Sequence, residues 1–508
     1  MLASAAFAGW PTASGASDPA LVAILARTAQ ALVVPGVPPL DRYVERGNLA
    51  GLGLTGTFTV WHDGDRERDD QLLGPQADRT LRLGPRYFEA DANDDVRELL
   101  GPSLRHERTD ALVQSGAFAR LPMDCRLVGT AVVDGTATDV VEVRAPAGDP
   151  ETVYLDRGSG IIRRIVYAEY DGRTTIDLSD WRAVGGRRFP FHAVVSSGDR
   201  AFDIVQTTTA IDPNAPIAAS IFAPLQGRTI EMSAPQTLPL IVRDRHLFTR
   251  VRIGATEYTF LIDSGAQNIL VDSALAARLH LDQQGALEAS GTARTGGMRL
   301  ARLPELAIGN GRLRDLVVST LPLAGPTSAA PRIDGILGYP LFASALVQLD
   351  IAAGTMRIGP PGSFAPGGER LTAIADRALP EVELRVNGNL TAPFVIDTGN
   401  AADLLLYRPF VDAHPGVVPF STQTRRSVGV GGATAAYETT LPALQFGGTT
   451  LRGVLTDVML ATQGAFADRF DAGNIGFGIL RRFTLTFDLP DGALYVQPQP
   501  ASSAATHP

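Results

Sequence analysis

Apolar and polar residues alternate in short stretches along most of this chain, and the stretches end at turn residues. Between about residues 41 and 212, alternating segments at 55–61, 127–133, 136–143, 161–170 and 191–196 predict strands. The turn pairs Asp63-Gly64, Asp134-Gly135 and Asp171-Gly172 punctuate them, which predicts an antiparallel sheet joined by hairpins. Residues 19–32 and the stretch around 95–100 carry a helical pattern instead. The charged run 63–70 reads as a solvated sheet edge.

The second half repeats itself. Residues 260–270 read FLIDSGAQNIL and residues 394–404 read FVIDTGNAADL. A turn glycine, Gly254 or Gly388, precedes each aspartate by nine residues (263 − 254 and 397 − 388). Downstream, Ile336-Leu337-Gly338 ends 75 residues after Asp263 (338 − 263), and Asn474-Ile475-Gly476 ends 79 after Asp397 (476 − 397). Asp350 and Asp488 each follow those glycines by twelve (350 − 338 and 488 − 476), closing LVQLD and FTLTFD. Between the anchors lie glycine pairs, Gly296-Gly297 and Gly431-Gly432, and then LPELAIGNG or LPALQFGGT. One lobe has been duplicated. The lobes span about 236–360 and 375–500, joined by PPGSFAPGG at 360–368, with residues 41–232 forming a separate β-rich domain after an N-terminal segment, 1–40.

Composition narrows the function. Of 508 residues, 45% are hydrophobic and 19% charged, enough to bury several cores, while 52 Gly and 35 Pro suit many short strands. The fold class expected is mainly β. Lys plus Arg is 45 against 54 Asp plus Glu, for a net charge of −9, and no basic run tracks a phosphate backbone, so nucleic acid is not an expected partner. Every one of those bases is Arg, which removes lysine Schiff-base chemistry. The single cysteine, Cys125, cannot form an internal disulfide, and seven scattered histidines show no zinc spacing. No metal or cofactor is expected, and no apolar run is long enough to span a membrane. The opening MLASAAFA fits a shortened export signal or an ordinary frayed terminus, so periplasmic or secreted and cytoplasmic locations both stay open.

A single Asp-Ser/Thr-Gly triplet arises by chance about once in two to four chains of this length. Two copies in recurring context are far more specific. Over residues 237–497 the sequence resembles a retropepsin-like aspartic protease, in the bacterial form with both lobes on one polypeptide. The resemblance implies a two-lobed β-barrel pair with Asp263 and Asp397 as catalytic residues. It implies Ser264 and Thr398 as hydroxyls bonding across to the opposite loop, Gly265 and Gly399 as close-approach glycines, and Gly338 and Gly476 in the second loops. Residues 153–191, VYLDRGSGIIRRIVYAEYDG followed by DLSDWRAVGGRRFPF, resemble the lipoprotein-carrier type of half-barrel, which implies an envelope setting and an apolar-ligand groove.

Two nearby carboxyls cannot both ionise readily, so they share a proton, and one acts as base while the other acts as acid. A tandem repeat supplies the required pseudo-two-fold axis within one chain, and a monomer is expected. The glycine pairs suit hairpin tips, as flaps or as plain turns, and Tyr437 suits either a flap hydroxyl or a surface strand position. Asn400 stands where the first motif has Ala266, either adding a side-chain hydrogen bond to the dyad or marking a lobe turned structural. Three functions follow: an endopeptidase acting on a peptide or protein substrate, a silent module binding a peptide or an apolar ligand, or lobes that pair between chains.

Overall fold

The computed structural model describes residues 18–38, 40–121, 124–291, 294–323, 333–429 and 432–499. The opening MLASAAFA lies outside them. Among the described residues no helix is long and apolar enough to cross a membrane.

The N-terminal region is one thirteen-stranded antiparallel sheet whose first strand, Arg42–Gly51, pairs with its last, Ile204–Pro213. From that central strand the chain runs outward by hairpins to Val96–Glu98 at one edge. Helix Gly101–Gln114 carries it to Asp124–Val133 at the other edge, and hairpins return it to the middle. The turn at Asp134 (φ 47°) and Gly135 (φ 78°) is left-handed at both positions, the geometry that matches strand twist in a two-residue hairpin. Helix Pro19–Ala31 and the end of Gly101–Gln114 bury Ile24 and Val113 with Phe118 against Val141, Val153 and Ile165. The result is a half-barrel.

Two expectations are corrected here. Residues 95–100 are not helical: 96–98 form the edge strand, and the helix begins at Gly101. That helix buries only Thr109 and Val113, so its apolar periodicity is faint. The run 63–70 is not a solvated edge but part of an interior hairpin, with Glu67 opposite both His62 and Arg82 and the Asp69 carboxyl pushed up to about 7 by burial. The row Tyr43, His62, Glu67, Arg82 and Tyr87 crosses five strands.

Each C-terminal lobe is a closed six-stranded barrel. In the first, His246–Ile253, Thr256–Ile262, Gly335–Leu337, Leu270–Asp272, Gly311–Leu321 and Arg294–Ile308 pair in that order, and Arg252 opposite Ala307 closes the ring. In the second, Leu379–Val386, Leu390–Ile396, Gly473–Ile475, Leu404–Tyr407, Thr449–Met459 and Gly432–Phe446 do the same, closed by Val386 opposite Leu444. A six-stranded sheet joins the barrels, with Gln236–Pro239, Thr355–Gly359 and Leu346–Asp350 from one lobe and Phe483–Asp488, Ala493–Pro498 and Glu369–Asp376 from the other. At its centre Gln348 pairs with Thr486, its own counterpart by the spacing that relates Asp350 to Asp488, and donates to the Thr486 hydroxyl at 3.1 Å. A residue facing its twin marks the pseudo-two-fold axis. The apolar core is continuous through both lobes.

The half-barrel docks on both lobes. The Asn93 amide donates to Val317 O (3.0 Å) and accepts from Val317 N–H (2.8 Å), as a strand residue would. Asp376 accepts Ser103 N–H, and Asp171 accepts Gly464 N–H. Beside these contacts Arg377 bonds to four carboxylates, Asp376 (2.9 Å), Glu381 (3.2 Å), Asp468 (2.5 Å) and Asp471 (2.7 Å), with the Tyr170 ring 5.5 Å away. One guanidinium cannot balance four buried acids. Burial pushes the Asp471 carboxyl up to about 7 and holds Glu381 well above the usual range.

A carboxyl with a raised folded-state pKa stabilises the fold at low pH, and that contribution is lost as pH rises from about 4 through 7. Asp471→Asn removes it. We expect this variant to match the wild type in thermal midpoint near pH 4 and to exceed it increasingly up to pH 7.5, as read by calorimetry. A constant difference across that range would show that Asp471 is ionised throughout.

Candidate active site

Strand alternation delivers both aspartates to one place. Phe260 and Ile262 point into the first barrel, so Leu261 and Asp263 share its outer face, and Phe394, Ile396, Val395 and Asp397 repeat the arrangement. Each aspartate's backbone is pinned by the neighbouring short strand: Asp263 N–H donates to Leu337 O and Asp397 N–H to Ile475 O, both at 3.0 Å. Behind each loop sits a glycine with no room for a side chain. A Cβ on Gly338 would lie 2.1 Å from Asn268 O, and one on Gly476 would lie 2.5 Å from Ala402 O.

The two loops are tied across the axis by four hydrogen bonds. Ser264 Oγ donates to Ile396 O (2.5 Å) and accepts Thr398 N–H (3.1 Å), while Thr398 Oγ1 donates to Ile262 O (2.9 Å) and accepts Ser264 N–H (2.9 Å). Both hydroxyls are fully used and buried. Beyond them, Arg245 of the first lobe donates to Ala401 O and to Asp403 Oδ1 of the second. Gln267 of the first loop donates to Arg377 O at 2.7 Å.

This lattice forces the carboxyls together. Asp263 and Asp397 lie close enough to couple, and each lies against the opposite loop's glycine. A Cβ on Gly265 would stand 2.6 Å from the Asp397 Cγ, and one on Gly399 2.3 Å from the Asp263 Cγ. Both carboxyls keep partial contact with solvent, yet are enclosed enough that desolvation raises their pKa values. Ionisation of either carboxyl raises the other, while amides at Gly265 and Gly399 favour the ionised forms. Such a pair holds one proton between its members.

Gly296 and Gly297 are not at a hairpin tip. Ser290 pairs with Arg294, and the glycines follow on the strand beyond it. There Ala289 pairs with Thr295 and Leu287 with Met298, so the extra residue makes a bulge, with Gly297 at φ 90°. In the second lobe Gly429 pairs with Gly432, and Gly431 lies outside the described residues. Tyr437 is neither a flap hydroxyl at the tip nor a surface residue: alternation turns it into the second barrel's core, edge-on to Phe420 with ring centroids 5.4 Å apart. The first-lobe hairpin touches the second lobe where Ala465 N–H donates to Gly291 O at 2.9 Å.

Sequence reasoning passed over Asn474. Its amide donates to Asp397 Oδ2 at 2.7 Å and accepts from Asn400 at 2.5 Å. The signal was present, because Asn474 is a polar residue at the position that Ile336 fills in the twin motif.

Residues 249–341 and 382–477 match the model of the aspartyl protease family, one match per lobe. Each barrel is thus similar to a domain of that family. No curated protein matches the chain. Solved structures similar to it include a putative outer membrane lipoprotein-sorting protein domain from Vibrio parahaemolyticus, at 8% identity over 40% of this chain and 95% of that one, with a TM-score of 0.29. A LolA superfamily protein from Nitrosomonas europaea matches at 12% identity over 40% and 96%, with a TM-score of 0.27. Those scores are too low to bear on the half-barrel's role.

Ser264→Ala and Thr398→Ala each delete two cross-loop bonds and leave buried backbone groups unpaired. Each is expected to cost roughly 2–4 kcal/mol in urea unfolding, with Thr398→Ser near wild type. Losses under about 0.5 kcal/mol would mean that the loops hold each other by packing alone.

Proposed function

We propose that the two aspartyl-protease-type lobes form one peptidase, in which Asp263 and Asp397 together activate a single water. The observation that carries this reading is the pair of carboxyls at the centre of the crossed hydroxyl lattice, each packed against the opposite loop's glycine. A silent binding module has no need of two acids pressed together against their own repulsion.

The ionised carboxylate takes a proton from the water, whose oxygen attacks the peptide carbonyl carbon. The protonated carboxyl gives its proton to the carbonyl oxygen as charge develops there. Collapse of the resulting gem-diol returns a proton to the departing nitrogen and restores the shared-proton dyad. No covalent intermediate forms. The dyad is complete within one chain, which favours an active monomer over lobes paired between chains. The substrate class is a peptide laid extended in the cleft between the barrels. Its apolar side chains suit the first lobe, where Phe248, Leu261 and Ile336 cluster on the face that carries Asp263.

Catalysis requires one proton on the pair, so activity falls both where the pair gains a second proton and where it loses the first. An optimum on the acidic side follows. Asp263→Asn and Asp397→Asn are each expected to lower cleavage of a peptide library by about a thousandfold or more while leaving the thermal midpoint intact. Cleavage that persists in either variant would remove that residue from the dyad, and a wild type inactive from pH 3 to 8 would favour the binding module.

A further inference from the structure

The two lobes match in backbone but differ around their aspartates. Asp263 Oδ1 accepts Gly265 N–H at 2.9 Å. Asp397 accepts Gly399 N–H (2.9 Å) and Asn400 N–H (3.1 Å) on Oδ1, and the Asn474 amide (2.7 Å) on Oδ2. The last bond has no counterpart in the first lobe, where Ile336 and Ala266 occupy the positions of Asn474 and Asn400.

We propose that Asn474, oriented by Asn400, is a positioning residue that makes Asp397 the ionised base and Asp263 the proton-bearing acid of the dyad. This deepens the peptidase reading and rests on it only for its kinetic consequence.

The direction of the relay is fixed at its far end. Ala402 N–H donates to Asn400 Oδ1 at 2.8 Å, and a backbone amide can only donate. Asn400 therefore turns its NH2 toward Asn474, whose oxygen accepts it at 2.5 Å. The Asn474 NH2 is then left to face Asp397 Oδ2. Flipping either amide would set like groups against each other at two junctions. Asn474 is 2% exposed, so its donor has no competing water to turn to. A donor held against a carboxylate favours the ionised form and disfavours the protonated one. Both Asp397 oxygens receive donors, and the shared proton is left to Asp263.

Other titratable groups near the dyad do not substitute for this bond. His246, on the strand His246–Ile253, and the Gly399 amide favour the ionised form of Asp263 and so work against the bias that Asn474 sets, while Tyr407, buried in Leu404–Tyr407, lies near Asp397. The Arg245 guanidinium beside the second loop is engaged by Asp403 and Ala401 O. Within the second lobe Val395 pairs with Asn474 on one side and Glu381 on the other, and Glu381 is paired with Arg377.

The test is a pair of variants, Asn474→Ile, which copies the first lobe, and Asn474→Asp, which keeps the shape but cannot donate when ionised. Carboxyl 13C NMR of aspartate-labelled full-length protein, assigned with Asp263→Asn and Asp397→Asn, reads which carboxyl ionises first. In the wild type Asp397 is expected to ionise at lower pH than Asp263, and in both Asn474 variants that order is expected to vanish or reverse. In parallel, the low-pH limb of kcat/KM should move up by about one pH unit, and kcat should fall about tenfold with KM little changed. A carboxyl order and low-pH limb unmoved in both variants would overturn the proposal, as would Asp263 ionising first in the wild type. If no peptide is cut at any pH, the peptidase reading fails while the NMR order still decides this one.

Discussion

Two carboxyl groups that repel each other when charged are held close together where the two lobes meet, and much of the C-terminal half is arranged to keep them there. The force that holds them is the crossed exchange between Ser264 and Thr398, in which each hydroxyl accepts an N–H from the opposite loop and donates to the carbonyl that precedes the opposite loop's aspartate. Because donors and acceptors are all buried, separating the loops leaves several polar groups without partners, a cost that opposes the repulsion within the dyad. Glycine at 265 and 399 completes the constraint, because any side chain there would occupy the volume of the opposing aspartate. The sheet joining the lobes and the continuous core on either side of it hold the same axis from behind.

Symmetry of backbone and asymmetry of chemistry serve different ends. The axis through Gln348 and Thr486 brings the loops together with equal geometry. Equal geometry alone would leave the shared proton undirected between two identical sites. Gene duplication on one chain permits the twins to diverge, and they have done so beside the dyad: Ala266 against Asn400, and Ile336 against Asn474. The divergence extends outward, since the first lobe's outer face is apolar around Phe248 and Leu261, whereas its counterpart carries Glu381 in the network around Arg377. A two-chain assembly of identical lobes has no route to that difference.

The barrels were legible because their determinants are local and repeated. Strand, aspartate, hydroxyl, glycine and a distant apolar-glycine element recur at matched spacing, and each has a steric or hydrogen-bonding reason visible in the residue type. What stayed hidden depended on partners distant in sequence. The helix Gly101–Gln114 has charged residues along most of its length and buries just two, so no apolar stripe announced it. The run 63–70 looked solvated because its compensating groups, His62 and Arg82 among them, are identified only once strand register is known. Gly296 and Gly297 carry turn composition, yet a bulge uses the same backbone freedom as a tip, and composition does not separate the two. Asn474 was readable only by comparing the repeats position by position rather than by matching the motif to itself.

The half-barrel's attachment points show that it is not an independent neighbour of the lobes. Asn93 binds Val317 on a strand of the first barrel, while its amide also reaches Asn268, which follows the Asp263 loop. On the other lobe, Asp171 holds Gly464 N–H, and the adjacent Ala465 N–H holds Gly291 O at the first-lobe hairpin. A single turn of the second lobe is thereby bonded both to the half-barrel and to the hairpin that overhangs the first lobe. Tyr170, next to Asp171, lies against Arg377, whose carbonyl accepts Gln267 of the first aspartate loop. Moving the half-barrel would break bonds at Val317, Gly464 and Asp376 together, so its position, the first-lobe hairpin and the charge network around Arg377 are mechanically one unit.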